Sequence, residues 1–256
     1  MRDPKSLSRE RFAEHADDYV RSQSHAGGAD LEKVVELSRA QPEWVALDVA
    51  TGGGHTAIAI APRVAGMIAL DLTAEMLTAA AALAAERGVS GIEFVLGDAE
   101  KLPFPDESFD LVTCRIAAHH FPDVQRFVDE VARVLRPGGR FVLQDQCVPE
   151  VAASAAFLNL FERLRDPSHN RALSQRAWTE VVGRAGLQVE EVASFEKRHV
   201  LVEWARMQSC TAQTLERLQE MIRDAPEGVR AWMEPTGEGS ETSFTIWQFV
   251  LSAEKR

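Results

Sequence analysis

The chain has 256 residues, enough to bury one sizeable hydrophobic core, so we expect one domain over residues 1–256. Hydrophobic residues make up 45% and charged residues 26% of the sequence, the composition of an ordinary soluble globular protein. The formal net charge of −11 repels phosphate backbones and anionic membrane surfaces, so a nucleic-acid partner and a membrane partner are both disfavoured.

The three cysteines, Cys114, Cys147 and Cys210, form no C-x-x-C pair and cannot all be paired within one chain. This favours a reducing compartment. No signal segment opens the sequence, and no apolar run is long enough to span a bilayer. We therefore expect a cytoplasmic protein. No Cys/His cluster has zinc spacing, so no metal site is predicted.

The predicted elements begin with a helical segment that ends at about Ala40, in which Phe12, Ala16 and Tyr19 fall on one face. Short apolar strands then alternate with helices. The five strands are predicted at 44–49, 66–71, 92–98, 108–115 and 140–145, and the helices between them include 55–64 and 124–135. This alternation implies right-handed crossovers and a parallel sheet covered on both faces.

After Pro149 the pattern changes to amphipathic helices and two late strands. The helices are predicted at 152–166, 174–186 and about 203–233, and the strands at 187–196 and 243–253. We interpret residues of about 150–170 and 203–234 as a helical cap over a core of about 40–148. The predicted fold is α/β, a doubly wound, mostly parallel seven-stranded Rossmann-like sheet with a helical cap inserted among the late strands.

The glycine-rich stretch "LDVATGGGHTAIAIA" lies between the first strand and its helix. Gly52, Gly54 and Ala57 fit G-x-G-x-x-G/A, a dinucleotide fingerprint, and Asp71 lies about 20 residues further on, where an acid would bind ribose hydroxyls. On this evidence alone an NAD-dependent oxidoreductase and a tight turn without a ligand are both open.

Four motifs in order, "LDVATGGG", "ALDLTAEML", "GDAEKLPFPDESFD" and "EVARVLRPGGRF", together resemble the class I S-adenosylmethionine-dependent methyltransferases. The nearest resemblance is to the small-molecule enzymes similar to those of ubiquinone and menaquinone biosynthesis, and it covers about residues 44–146. One position departs from the family loop D-x-G-x-G-x-G, because Ala50 stands at the first glycine. A methyl group is tolerated there if Ala50 has a negative φ.

The resemblance implies S-adenosylmethionine as the cofactor. The implied cofactor-binding positions are Tyr19, Asp48, Ala50, Gly52, Gly54, Asp71, Leu72, Asp98, Ala99 and Arg115. By the resemblance, Asp48 interacts with the methionine portion and Asp71 with the ribose hydroxyls. Leu72 packs on the adenine, Asp98 accepts from the adenine amino group, and the Ala99 N–H faces the same base. A purely structural role stays open for Asp48, Asp98 and Tyr19, and Asp71 is a helix-leading aspartate in the alternative interpretation.

The candidate catalytic residues are His119 and His120, which follow the fourth strand. An imidazole titrates near neutrality and suits a general base that removes a proton from a hydroxyl or an activated carbon. In the alternative interpretation, one of these two histidines only orders the loop after the fourth strand. Arg115 and Asp145, at neighbouring strand ends, either orient a polar substrate or are paired structurally.

A polar cluster, "ERLRDPSHNR", follows the first late helix. Arg163, Arg165 and His169 are candidates for binding an anionic or phenolic acceptor. The alternative is a solvated loop in which Asp166 or Ser168 caps a helix.

The sequence therefore predicts an S-adenosylmethionine-dependent methyltransferase that acts on a small molecule, with an oxygen or carbon acceptor favoured. The alternatives are an NAD-dependent oxidoreductase and a methyltransferase-like binding or accessory protein without acceptor chemistry. The oligomeric state is not predicted.

Overall fold

A computed structural model of the chain describes residues 3–14 and 27–256. In this part of the chain seven strands form one sheet, in the order β3-β2-β1-β4-β5-β7-β6. The strands are β1 Val45–Val49, β2 Gly66–Asp71, β3 Ile92–Leu96, β4 Phe109–Arg115, β5 Leu135–Gln146, β6 Leu187–Val200 and β7 Ser243–Lys255. Strands β1 to β5 pair in parallel, and β7 is antiparallel to both β5 and β6. The predicted doubly wound, mostly parallel sheet is confirmed.

Helices flank this sheet along the described chain. They are α1 Pro4–Glu14, α2 Ala29–Ser38, α3 His55–Ile60, α4 Ala74–Glu86, α5 Val124–Val134, α6 Ala152–Arg165, α7 Gln175–Arg184, α8 Leu201–Arg206, α9 Ala212–Arg223 and α10 Glu227–Met233. The predicted helix over 203–233 is three helices, with breaks near Ser209, which has a φ of 53°, and Pro226. None of the described helices has both the length and the apolar character needed to cross a membrane.

The two faces of the sheet are covered by different apolar clusters. Along β5, Phe141 and Leu143 join the cluster that contains Trp178 of α7, whereas Val142 joins the cluster that contains Val34 of α2. Successive side chains of a strand point to opposite faces, so this split follows from the strand geometry. Complete burial of each such side chain contributes about 1.5–3 kcal/mol to folding.

A further apolar cluster joins the late helices to β7. It contains Phe161 of α6, Trp204 of α8 and Leu218 of α9, together with Phe244 of β7. The ring of Phe161 stacks on Trp204 with centroids 5.2 Å apart. The late helices therefore pack on one another as well as on the sheet.

The strand order reverses between β1 and β4, which are neighbours in space but not in sequence. Asp48 of β1 is in register with Thr113 of β4. In open α/β sheets the carboxyl ends of the strands at such a reversal form a crevice that binds ligands. The loop after β1 and the loop after β4 both open into this crevice.

The backbone of the loop after β1 is left-handed at one alanine. Ala50 has a φ of 53°, like Gly52 at 53° and Gly54 at 79°. Ala50 therefore does not meet the condition of a negative φ under which its methyl group is tolerated without strain. The next residue in the same turn, Thr51, donates its N–H to the Leu70 carbonyl of β2 in a hydrogen bond of 2.9 Å. The left-handed conformation of Ala50 is part of this turn. A non-glycine residue in this conformation is strained by about 1–2 kcal/mol.

We predict that Ala50→Gly stabilises the protein, because glycine adopts a positive φ without the Cβ clash. The gain is offset by the larger entropy of glycine in the unfolded chain, so the free energy of unfolding should rise by about 0.5–1 kcal/mol. Chemical denaturation measures it. The matched control is Ala82→Gly on the exposed face of α4, which should lower the same free energy by about 1 kcal/mol. Equal destabilisation by both substitutions would contradict the strain at Ala50.

Candidate active site

A cleft lies beyond the carboxyl ends of β1, β2 and β4 and is lined by α1 as well. The residues predicted from the sequence that line it are Asp48, Ala50, Gly52, Asp71, Leu72, Asp98, Ala99, Arg115 and His120. Gly54 and His119 are not among its lining residues. Tyr19 lies outside the described residues. The structure thus brings most of the predicted positions to one place.

Asp48 is the most buried acid of the cleft, with 1% of its surface exposed. Its Oδ1 accepts from the Thr113 hydroxyl at 2.7 Å, and its Oδ2 accepts from the Thr51 hydroxyl at 2.6 Å. Burial raises the pKa of Asp48 to about 6, because these neutral donors and the more distant charge of Arg115 do not compensate for lost hydration. The carboxyl group therefore lies where a cation would stabilise its ionised form.

Asp71 orders the glycine loop and also borders the cleft. Its Oδ2 accepts from the Gly52 N–H at 2.9 Å, and its Oδ1 accepts from the Thr73 N–H at 3.0 Å. Burial raises the pKa of Asp71, and these backbone donors oppose the shift. A Cβ at Gly52 would meet no atom within 4 Å, whereas a Cβ at Gly54 would lie 2.9 Å from the Cβ of Ala80. Gly52 therefore exposes backbone to the cleft, and Gly54 lets the loop pack on α4.

The opposite wall of the cleft is formed by α1, whose Lys5 and Ser8 are not among the positions predicted from the sequence. Lys5 donates to Asp98 Oδ2 at 2.6 Å and lies 2.6 Å from Glu100 Oε2. Lys5, Ser8 and Phe12 all line the cleft. They follow the i, i+3, i+7 spacing of one helix face, and this spacing is the signal that could have identified them.

Arg115 and Asp145 both have charged or ionisable partners. The Arg115 guanidinium donates to Asp30 Oδ2 at 2.7 Å and to the Thr56 hydroxyl at 3.0 Å. Asp145 Oδ1 lies 2.6 Å from His119 Nδ1, and Asp145 Oδ2 accepts from the His119 N–H at 2.8 Å. The sequence left open whether Arg115 and Asp145 orient a substrate or are paired structurally. The structure shows a pairing partner for each of them.

The adjacent histidines have opposite pKa shifts. Burial disfavours a charge on His119, but the Asp145 carboxylate outweighs burial and raises the pKa of His119. Burial and the nearby charge of His119 lower the pKa of His120 to about 4. His120, which lines the cleft, is therefore neutral at pH 7. Titration near neutrality, which was expected from the sequence, does not apply to His120.

The backbone just before these histidines is strained. Ile116 has a φ of 53° and lines the cleft between Arg115 and Ala117. Its N–H donates to the Gln144 carbonyl at 2.8 Å. A β-branched residue in the left-handed region is a genuine outlier, and such strain is concentrated at functional sites.

The polar cluster at 163–169 has mainly structural contacts. The Arg165 guanidinium lies 4.2 Å from the ring centroid of Trp204, and Arg163 donates to a main-chain carbonyl at 2.7 Å. His169 Nε2 lies 2.8 Å from Asn159 Oδ1, and burial lowers the pKa of His169 to about 2. None of these three candidates lines the cleft. They connect the end of α6 to α8 and to the segment before α7.

Comparisons with known proteins agree with this fold and site. The family described as "Methyltransferase domain" matches residues 47–143. The chain is 37% identical to the uncharacterised methyltransferase YcgJ of Bacillus subtilis, over 96% of this chain and 98% of that protein. It is 38% identical to the ubiquinone/menaquinone biosynthesis C-methyltransferase UbiE of Brucella canis, over 40% of this chain and 39% of that enzyme.

A solved structure of a Bacillus halodurans protein superimposes with a TM-score of 0.86 and 38% identity, covering 89% of this chain and 99% of that one. The similarity to YcgJ spans nearly the whole of both chains, and the sheet order and the glycine loop are those expected from the four sequence motifs. The chain belongs to the class I S-adenosylmethionine-dependent methyltransferases.

Proposed function

We propose that this methyltransferase binds S-adenosylmethionine in the cleft and transfers its methyl group to a small-molecule acceptor through oxygen or carbon. The observation that carries the proposal is the buried carboxyl group of Asp48, whose hydrogen-bond donors among the described residues are hydroxyl and backbone groups. A buried carboxyl group without a close cation is unfavourable unless its ionised form is stabilised by a ligand. The ammonium of the methionine portion supplies such a charge.

The remaining residues of the cleft fit the same ligand. Asp71 lies at the end of β2, where its carboxylate can accept from two ribose hydroxyls, and Leu72 offers an apolar surface to the adenine. Asp98 and the Ala99 N–H lie at the adenine end. Gly52 and Ala50 expose backbone to the methionine portion. Arg115, held by Asp30, forms the wall beside them.

The cofactor supplies a methyl group on a sulfonium, which is an excellent leaving group, so the protein must align the acceptor and manage its proton. We assign the proton to His120, because it lines the cleft and is neutral at pH 7. As a general base it would accept the proton of a hydroxyl or an activated carbon. His119, paired with Asp145, supports His120 from behind the cleft.

The late helices bear on the domain organisation of the protein. We interpret residues of about 150–170 and 203–234 as a cap on one domain, since they share an apolar cluster with Phe244 of β7. The net charge of −11 supports a small-molecule acceptor over a nucleic acid, and the three free cysteines support a cytoplasmic location.

Isothermal titration calorimetry tests the proposed ligand directly. The full chain should bind S-adenosylhomocysteine at one site per chain and should not bind NADH, because the carboxylates of Asp48 and Asp71 line the cleft beside the glycine loop and would repel a pyrophosphate. Tight binding of NADH together with no response to S-adenosylhomocysteine would reverse the assignment.

Asp71→Asn should weaken binding of S-adenosylhomocysteine by about 1.5–3 kcal/mol, because a ribose hydroxyl loses a charged acceptor. The matched control is Asp110→Asn. Asp110 accepts from the Val45 N–H at 2.8 Å, at the opposite end of β1, so the control should lower stability without changing the affinity. Equal affinities of the two folded variants would remove Asp71 from the site.

The affinity for S-adenosylhomocysteine should fall as the pH is lowered from 7 to 5. Asp48 has a pKa of about 6, and a cation beside it lowers this pKa, so binding releases a proton near pH 6. Calorimetry in buffers of different ionisation enthalpy measures the released proton. Adenosine, which lacks the ammonium group, is the control ligand and should bind with little pH dependence. An affinity for S-adenosylhomocysteine that is constant over this range would contradict the role of Asp48.

A further inference from the structure

The segment 166–168, which follows α6, contacts the ring of His120. His120 Nδ1 lies 3.0 Å from the main-chain carbonyl oxygen of Ser168 and 3.2 Å from the Ser168 hydroxyl. The Ser168 hydroxyl in turn donates to Asp166 Oδ1 at 2.6 Å. Asp166 and Ser168 are both buried, with 4% and 5% of their surfaces exposed. This is a polar array inside the protein and not a solvated loop.

These contacts determine which ring nitrogen of His120 carries the proton. A carbonyl oxygen can only accept, so Nδ1 must be the donor, and the Ser168 hydroxyl, whose proton points to Asp166, also accepts from it. In the neutral ring the lone pair then lies on Nε2. Nε2 makes no hydrogen bond to any residue that the structure describes. It is also not one of the side-chain polar atoms that are fully buried without a hydrogen-bond partner.

Asp166 is itself held by two further contacts. Its Oδ1 accepts from the Ser168 N–H at 2.9 Å and lies 3.3 Å from Arg11 Nε of α1. The neighbouring residue on α1, Phe12, packs edge-on against the His120 ring with centroids 5.0 Å apart. The array therefore connects the ring of His120 to the helix that forms one wall of the cleft.

We propose that Ser168 and Asp166 are positioning residues for His120: they fix its ring as the Nδ1–H tautomer and leave Nε2 as the proton acceptor for the cleft. The proposal rests on the proposed function, in which His120 is the base. In this proposal the 163–169 cluster does not bind the acceptor itself. It acts through His120. Neither Ser168 nor Asp166 lines the cleft.

The charges around the ring are consistent with this role. Asp166 acts on His120 from the segment after α6, Asp145 from the end of β5 and His119 from the adjacent position. Burial and the charge of His119 keep the ring neutral against the two acids, so His120 can hold a fixed tautomer over the whole neutral range. A base that is already the correct tautomer needs no rearrangement before it accepts a proton.

Nuclear magnetic resonance of the full chain, labelled with [15N]histidine, tests the proposal without any acceptor. Long-range ¹H–¹⁵N spectra distinguish the two neutral tautomers, and loss of signals in His120→Gln assigns the ring. The wild-type ring should be protonated on Nδ1 alone at pH 7 and titrate with a midpoint near pH 4. Ser168→Ala keeps the main-chain carbonyl acceptor and should leave Nδ1 protonated, whereas Asp166→Ala removes the side chain that holds Ser168 and should convert the single tautomer to a mixture.

The matched control is Ser174→Ala. Ser174 is buried to a similar extent, at 7% exposure, and caps α7 by accepting from the Ala177 N–H. Its loss should lower stability and leave the His120 spectrum unchanged. An unchanged tautomer in folded Asp166→Ala would overturn the proposal, and a wild-type ring protonated on Nε2 would overturn it even if Asp166→Ala does not fold. Binding of S-adenosylhomocysteine is measured separately, so failure of the proposed function would appear as lost binding with the tautomer intact.

Discussion

The cleft depends on a carboxyl group that is buried at the end of β1. Asp48 is held from both sides by hydroxyl groups, Thr51 in the glycine loop and Thr113 on β4, so one side chain fixes the loop against the strand on the far side of the reversal. Burial makes its ionised form unfavourable, and the raised pKa is the result. A ligand with a positive charge at this point would stabilise that form, and in the proposed function this links binding of the cofactor to release of a proton.

Burial and neighbouring charges also set the protonation of the two histidines at the other end of the cleft. Asp145 stabilises a charge on His119, and that charge, together with burial, keeps His120 neutral. Two adjacent side chains of the same type thus have different protonation behaviour, a pattern that identifies acid and base partners in enzymes. In the proposed function, Asp145 acts on His120 through His119 although Asp145 does not line the cleft, and Ser168, held by Asp166, contacts the same ring from the segment after α6.

Much of this arrangement could be predicted from sequence because it depends on local patterns. Apolar alternation identified the strands, and four short motifs placed Asp48, Asp71 and Asp98 at one edge of the sheet. The conformation of Ala50 could not be predicted, since it depends on a hydrogen bond to β2. The contacts of Ser168 with His120 also escaped prediction, because 48 residues separate them and only the packing of the cap brings them together.

A crystal structure of the complex with S-adenosylhomocysteine would show how the ligand lies in the cleft. We expect ribose hydroxyls within hydrogen-bonding distance of Asp71, the ammonium group at the loop end near Asp48, and the sulfur atom turned toward the side of the cleft that holds His120. A nucleoside bound in the opposite orientation, with its sulfur away from His120, would contradict the account. So would a ligand bound outside the cleft.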